Sequence, residues 1–131
     1  MAQAAANPGP GYAKHPEHEI RCEASDERVL VRFAGEVIAD SARAVVMHEG
    51  RYPPVHYFPR ADVRMDLMQP TAHSTYCPFK GEASYFSITA ADRTVENAVW
   101  SYETPYDEVL DLKDYVAFYS DKVDSIDPTP G

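Results

Sequence analysis

The chain has 131 residues, which is the length of one domain with a single hydrophobic core. Hydrophobic residues make up 44% of it and charged residues 25%, and this usage excludes a wholly disordered chain. Acidic residues number 21 against 12 basic ones, giving a net charge of −9. Because an acidic chain repels phosphate backbones, we expect DNA and RNA to be poor partners.

The sequence favours a cytoplasmic protein without a membrane partner. It contains no apolar run long enough to span a bilayer, and its first residues lack the apolar core of a signal peptide. Two cysteines, Cys22 and Cys77, are too few for a disulfide framework and form no CxxC pair. We therefore expect reduced thiols and no thiolate zinc site.

Composition divides the chain into three parts. Residues 1–19 are rich in Ala, Pro and Gly and predict an extended N-terminal arm. Residues 20–124 predict one β-rich domain, and residues 125–131 predict a flexible, frayed tail.

The first predicted strand is 28–33, where Val29, Val31 and Phe33 alternate with Arg28, Leu30 and Arg32. Further short strands are predicted at 36–39, 44–48 and 55–58. Prolines flank the last of these, and since proline cannot donate to a ladder, we expect that strand at a sheet edge.

The second half of the chain continues this pattern. Residues 61–68 predict irregular structure, and residues 83–89 and 94–102 predict two paired strands. Thr104 as N-cap, with Pro105 in the first helical position, predicts a helix to about Lys113. Residues 115–119 predict a last strand. Seven or eight short strands and one short helix indicate a mainly β fold, a small single-domain sandwich or barrel of antiparallel strands.

The segment HSTYCPFKG, from His73 to Gly81, concentrates reactive groups at a turn. An amine beside a thiol favours the thiolate, so Lys80 could activate Cys77, and His73 could carry a proton. The alternative is a buried, inert cysteine beside a turn lysine, because free cysteine is among the most buried residue types.

Aromatic residues gather around Tyr57 and around Trp100 and Tyr102, a composition that suits either a ligand pocket or a small β core. His15 and His18 make a poor metal site on their own, and an exposed arm accounts for them better. Phosphate loops, the GxSxG elbow and HExxH are absent. We therefore predict no metal and no cofactor.

Several strings, RVLVRFAGEVIADS, YPPVHYFPRADV, HSTYCPFKGEASYFSI and ENAVWSYETP, resemble the bacterial domain of unknown function 427 family over about Arg28 to Val123. The resemblance implies a small β-rich domain with a tent-like arrangement of sheets, akin to methionine-R-sulfoxide reductases and the translationally controlled tumour protein. Two CxxC zinc knuckles common in that wider fold have no counterpart here. The family motif residues present are Tyr57, Pro59, Thr75, Cys77, Pro78, Lys80, Gly81, Tyr85, Trp100 and Tyr102.

These observations predict a small-molecule site, binding or catalytic, in a cleft between sheets. Cys77 would be the reactive thiol, Lys80 its electrostatic partner and His73 a proton carrier. The ligand-binding candidates are Tyr57, Thr75, Tyr85, Trp100 and Tyr102. Two other hypotheses remain open: a non-catalytic interaction module with an aromatic surface, and a structural domain that dimerises through an edge strand near Val55. Whether the protein is an enzyme is left open with them.

Overall fold

The computed structural model describes residues 6–130, and of residues 129 and 130 the backbone alone. Ten strands in this range form three antiparallel sheets, which confirms the mainly β prediction. No closed barrel is present among the described residues. The strands are β1 Ile20–Ala24, β2 Glu27–Phe33, β3 Glu36–Ser41, β4 Val45–Glu49, β5 Val55–Tyr57, β6 Met68–Cys77, β7 Gly81–Ala90, β8 Arg93–Ser101, β9 Val116–Phe118 and β10 Ser125–Pro130.

The three sheets have the strand orders β1-β4-β5, β10-β2-β3 and β6-β7-β8-β9. The proline-flanked strand β5 lies at the edge of its sheet, as predicted. Backbone hydrogen bonds of 2.8 and 2.9 Å between Phe58 and Val116 connect the end of β5 to β9. The first sheet is thereby fixed to the four-stranded sheet.

The four-stranded sheet is buried on both faces, because successive side chains of a strand point to opposite sides. On β7, Phe86 and Ile88 join a core cluster shared with β2 and β3. Ala83 and Tyr85 join a second cluster, shared with β4 and β5. The site described below lies on this second face.

The prediction of a helix from Thr104 to Lys113 is wrong in the type of helix and in the residue at which it begins. The structure has a 3-10 segment, Asp107–Leu112, interrupted at Val109, and no side chain caps its start. Val109 and Leu112 are fully buried three residues apart, which is one turn of a 3-10 helix. Burial of these two side chains therefore prevails over the capping signal at Thr104.

Both ends of the described chain contain secondary structure. Residues 125–130 belong to the segment 125–131 that was predicted as a flexible tail; they form β10 and pair with β2, and Arg32 binds Asp127 at 3.2 Å. The predicted extended arm contains one helical turn, α1, Gly11–Lys14. Residues 1–5 and Gly131, the outer ends of the predicted arm and tail, lie outside the described residues.

Besides β10, two strands were not predicted from the sequence, β1 and β6. Most side chains of both are exposed, so neither shows a regular apolar alternation. Residues 61–68 are irregular as predicted, with two 3-10 turns, Arg60–Asp62 and Met65–Leu67.

Candidate functional site

A concave cavity of about 630 Å³ opens on the face of the four-stranded sheet that is turned towards β4 and β5. Its floor comes from β7, β8 and the end of β9, and its rim from the loop 50–54 and β5. Six of its lining residues are Tyr or Trp: Tyr52, Tyr57, Tyr85, Trp100, Tyr102 and Tyr119. A cavity with this volume and these walls has the usual features of a small-molecule site.

The aromatic walls hold one another in place. Trp100 packs edge-on against Tyr57, with ring centroids 6.1 Å apart, and its Nε1–H donates a 3.1 Å hydrogen bond to the Tyr57 hydroxyl. Tyr119 packs against the other side of the indole at 4.6 Å. Because each ring has an aromatic neighbour in contact, the rings restrict one another's rotation.

Lys80 and Glu49 form the charged end of the cavity. Lys80 follows β6 in the turn to β7, and Glu49 ends β4; the Lys80 Nζ donates a 2.7 Å hydrogen bond to Glu49 Oε1. Their side chains are only 13% and 12% exposed. Glu49 Oε2 lies 2.9 Å from Nε2 of His18, so both carboxylate oxygens are engaged.

Burial pushes the pKa of Glu49 upwards, but the hydrogen bonds and charges of Lys80 and His18 outweigh it and hold this pKa below its ordinary value. Glu49 is therefore an anion at neutral pH. The pair adds no net charge to the cavity, because the ammonium of Lys80 balances it.

The N-terminal arm packs against the turn that carries Lys80. The Gly11 N–H donates to the Pro78 carbonyl at 3.0 Å, and His18 stacks on the Phe79 ring with centroids 4.0 Å apart. A Cβ on Gly11 would lie 2.7 Å from the Phe79 ring, so this approach requires glycine. The arm thus brings His18 to Glu49.

A second set of contacts fixes the start of the arm. The Asn7 N–H donates to the Asp107 carboxylate at 2.7 Å, and the Gly9 N–H to Glu108 at 2.9 Å. Asp107 and Glu108, the first two residues of the 3-10 segment, therefore hold the arm against that segment.

Cys77 and Lys80 lie in one turn, as predicted, but their side chains do different things. The Lys80 ammonium pairs with Glu49, and no hydrogen bond joins it to the thiol within residues 6–130. Cys77 is half-buried and is not among the residues that line the cavity. A reactive role for this thiol stays a prediction.

His73 and Thr75 lie outside the cavity and contact it through Tyr85. Thr75 Oγ1 is 2.9 Å from the Tyr85 hydroxyl, and the His73 ring packs edge-on against the Tyr85 ring at 4.5 Å. The Tyr85 hydroxyl is also 3.2 Å from that of Tyr119. Four of the predicted ligand-binding residues line the cavity: Tyr57, Tyr85, Trp100 and Tyr102. The fifth, Thr75, lies outside it and contacts the Tyr85 hydroxyl.

Sequence reasoning missed Glu49, Tyr119 and the role of His18. Glu49 lies just after the strand predicted at 44–48 and was not among the candidate residues, and His18 was considered only as a weak metal ligand. A charged residue that ends a strand next to a glycine turn is an available signal, but its partner lies 31 residues away.

The described residues contain neither a candidate metal site nor a helix that could span a membrane. Among residues 6–130, no group of three or more His, Cys, Asp or Glu side chains is placed to hold a metal ion. None of the helices described is long and apolar enough to cross a membrane.

Comparison with known proteins gives one match. A family model described as "Domain of unknown function (DUF427)" matches residues 21–128, which include every strand from β2 to β9. No curated protein matches the chain.

Proposed function

Because the chain belongs to the DUF427 family, whose function is unknown, we propose its function from the cavity: it binds a small, flat molecule non-covalently between the aromatic walls. The observation that carries the proposal is the concave shape, a cavity of about 630 Å³ lined by Trp100 and five tyrosines. Aromatic rings offer large contact areas at little cost in side-chain entropy.

Concavity also favours this function over the alternative, an interaction module with an aromatic surface. A protein partner needs a broad surface, on the order of 800 Å² on each side. Here the rings of Tyr57, Tyr85 and Tyr102 are buried, each with 6% exposure or less, and can be reached only from within the cavity. They suit a ligand that enters.

Trp100 provides the experiment, because it is the only tryptophan in the chain and lines the cavity. Its indole N–H gives a single side-chain signal in a proton–nitrogen correlation spectrum. We expect 2-acetylnaphthalene, as a flat probe, to shift this signal in a saturable manner.

Val55→Phe narrows the cavity, because Val55 lines its rim. The matched control is Val37→Phe on β3, where Val37 is 40% exposed and lies outside this cavity. We expect the shift to be lost in the first variant and kept in the second. An indole signal that no flat probe moves, or one that still shifts in Val55→Phe, would refute the proposal.

A further inference from the structure

The Tyr102 hydroxyl has no hydrogen-bond partner among the described residues. The residue is 6% exposed and lines the cavity, yet no hydrogen bond of its hydroxyl is present among residues 6–130. No fully buried side-chain nitrogen or oxygen in the described chain lacks a partner, so the Tyr102 hydroxyl is still reachable from the cavity. The Tyr102 hydroxyl is therefore available to a hydrogen-bond partner that enters the cavity.

The Tyr57 hydroxyl also has hydrogen-bonding capacity that the described residues leave unfilled. Its hydroxyl oxygen accepts the Trp100 N–H, but its own proton has no acceptor among the described residues. The Tyr57 and Tyr102 ring centroids are 6.4 Å apart. Burial raises the pKa of both hydroxyls well above its ordinary value, so each keeps its proton at neutral pH and remains a donor.

Lys80 adds further donors at the same end of the cavity. Its Nζ lies 6.0 Å from the centre of the Tyr102 ring, and only one of its three N–H groups is engaged, by Glu49. Both oxygens of Glu49 are already taken, by Lys80 and His18.

Free acceptors are fewer. The Tyr85 hydroxyl is engaged by Thr75 and Tyr119, while His56, which also lines the cavity, is half-buried. Burial lowers the pKa of His56, so its neutral ring offers one donor and one acceptor. Around Tyr102 the cavity therefore presents donors in the Tyr102 hydroxyl and in the two N–H groups of Lys80 that no described residue engages.

We propose that the ligand of this cavity is a flat aromatic molecule bearing a carbonyl or carboxylate oxygen, which accepts hydrogen bonds from Tyr102 and Lys80. This inference rests on the proposed function and names its ligand class. A ligand with an ammonium group is disfavoured, because the Lys80 ammonium is close and the charge of Glu49 is already balanced by it. The aromatic part occupies the space between Trp100 and the tyrosines.

Four naphthalenes of similar size test the inference, with binding followed by the Trp100 indole signal. They carry at the same position an acetyl, a carboxylate, an ethyl or an aminomethyl group. We expect the acetyl or the carboxylate compound to bind about tenfold more tightly than the ethyl compound, since a hydrogen bond from a charged or buried donor has about that effect. The tighter of the two identifies the source of the oxygen as a neutral carbonyl or an anion.

Tyr102→Phe removes the hydroxyl and keeps the ring. We expect it to abolish most of the preference for the oxygen-bearing compounds while changing the affinity for the ethyl compound less than about twofold. Tyr115→Phe is the matched control, because Tyr115 packs against the same core cluster without lining the cavity. It should leave all four affinities unchanged.

Two results would overturn the inference while leaving the proposed function in place. One is that neither the acetyl nor the carboxylate compound binds more tightly than the ethyl compound, and the other is tightest binding of the aminomethyl compound. Failure of all four to bind would instead refute the proposed function itself.

Discussion

The ammonium of Lys80 and the carboxylate of Glu49 lie 2.7 Å apart, with each side chain almost wholly withdrawn from water. Strand β4 ends at one partner and the turn before β7 carries the other. Charges in such a place are costly to leave unpaired. The pair therefore couples the stability of the fold to the charged end of the cavity.

Replacing one partner should cost more than replacing both. We expect Glu49→Gln or Lys80→Met alone to lower the free energy of unfolding by about 2–4 kcal/mol, because the remaining group stays buried without its counter-charge. The double variant should recover part of that loss. Urea denaturation of the four proteins measures the coupling as a double-mutant cycle.

The exposed pair of Arg64 and Asp66 provides the control for this cycle, since its members are 51% and 64% exposed and 2.9 Å apart. Arg64→Gln should change the free energy of unfolding by less than about 1 kcal/mol. Additive losses at Glu49 and Lys80 would contradict the predicted coupling.

The same carboxylate makes stability depend on acidity. The pKa of Glu49 in the folded protein is below its ordinary value of 4.5, so its contribution is fully present above that value and is lost as the pH falls below it. We expect the wild type to lose stability more steeply than Glu49→Gln between about pH 5 and pH 3. Chemical denaturation at a series of pH values measures both slopes.

Glu82→Gln on β7 is the comparison, because Glu82 is exposed and makes no side-chain hydrogen bond among the described residues. Its profile should follow that of the wild type. Parallel profiles for wild type and Glu49→Gln would show that the pair makes no such contribution.

Gly11→Ala should detach the arm. The added methyl group would lie 2.7 Å from the Phe79 ring, and that ring is stacked on His18, so it has little room to move. We expect faster amide hydrogen exchange at Gly11, whose N–H bonds to Pro78, and faster proteolysis of the arm. Ala13→Ser, at an exposed position of the same turn, should leave both unchanged.

The two thiols should differ in their chemistry. Burial, reinforced by Asp111 and opposed by Lys80, raises the pKa of Cys22 to about 11. In a Cys77→Ser variant we therefore expect alkylation of Cys22 by iodoacetamide to remain slow at pH 8 and to rise only towards pH 11. Rapid alkylation near pH 8, as for an ordinary thiol, would contradict this.

The thiol hypothesis for Cys77 needs the reverse experiment. If Lys80 activates this thiol, Cys77 in a Cys22→Ser variant should alkylate at pH 7 about tenfold faster than free cysteine and should slow when Lys80 is replaced by Met. An ordinary rate that Lys80→Met does not change would leave Cys77 with a packing role only.

Local patterns account for what could be predicted from the sequence. Val29, Val31 and Phe33 alternate strictly, and all three are fully buried in β2 as that alternation requires. The absence of such an alternation explains why β6 was not predicted. Met68, at 7% exposure, is the one buried residue among the ten of β6, and the strand is held in place by its pairing with β7.

The candidate site likewise has one part that could be predicted from the sequence and one part that could not. Its aromatic members were found because Tyr57, Trp100 and Tyr102 stand in conspicuous clusters. Its charged end was not, because Glu49 meets His18 and Lys80 across 31 residues of chain in each direction. No pattern within a short window of sequence specifies a contact of that kind.

Side chains of strand β7 belong to two core clusters, so binding in the cavity would change the stability of structure on both faces of the sheet. Phe86 and Ile88 serve one core while Tyr85 serves the other, so neither core can open without disturbing the strand they share. A ligand beside Tyr85 would therefore slow amide exchange in β2 and β3, strands on the opposite side of the sheet that it never touches. Ligand binding would therefore be measurable by amide exchange on the side of the domain opposite the cavity.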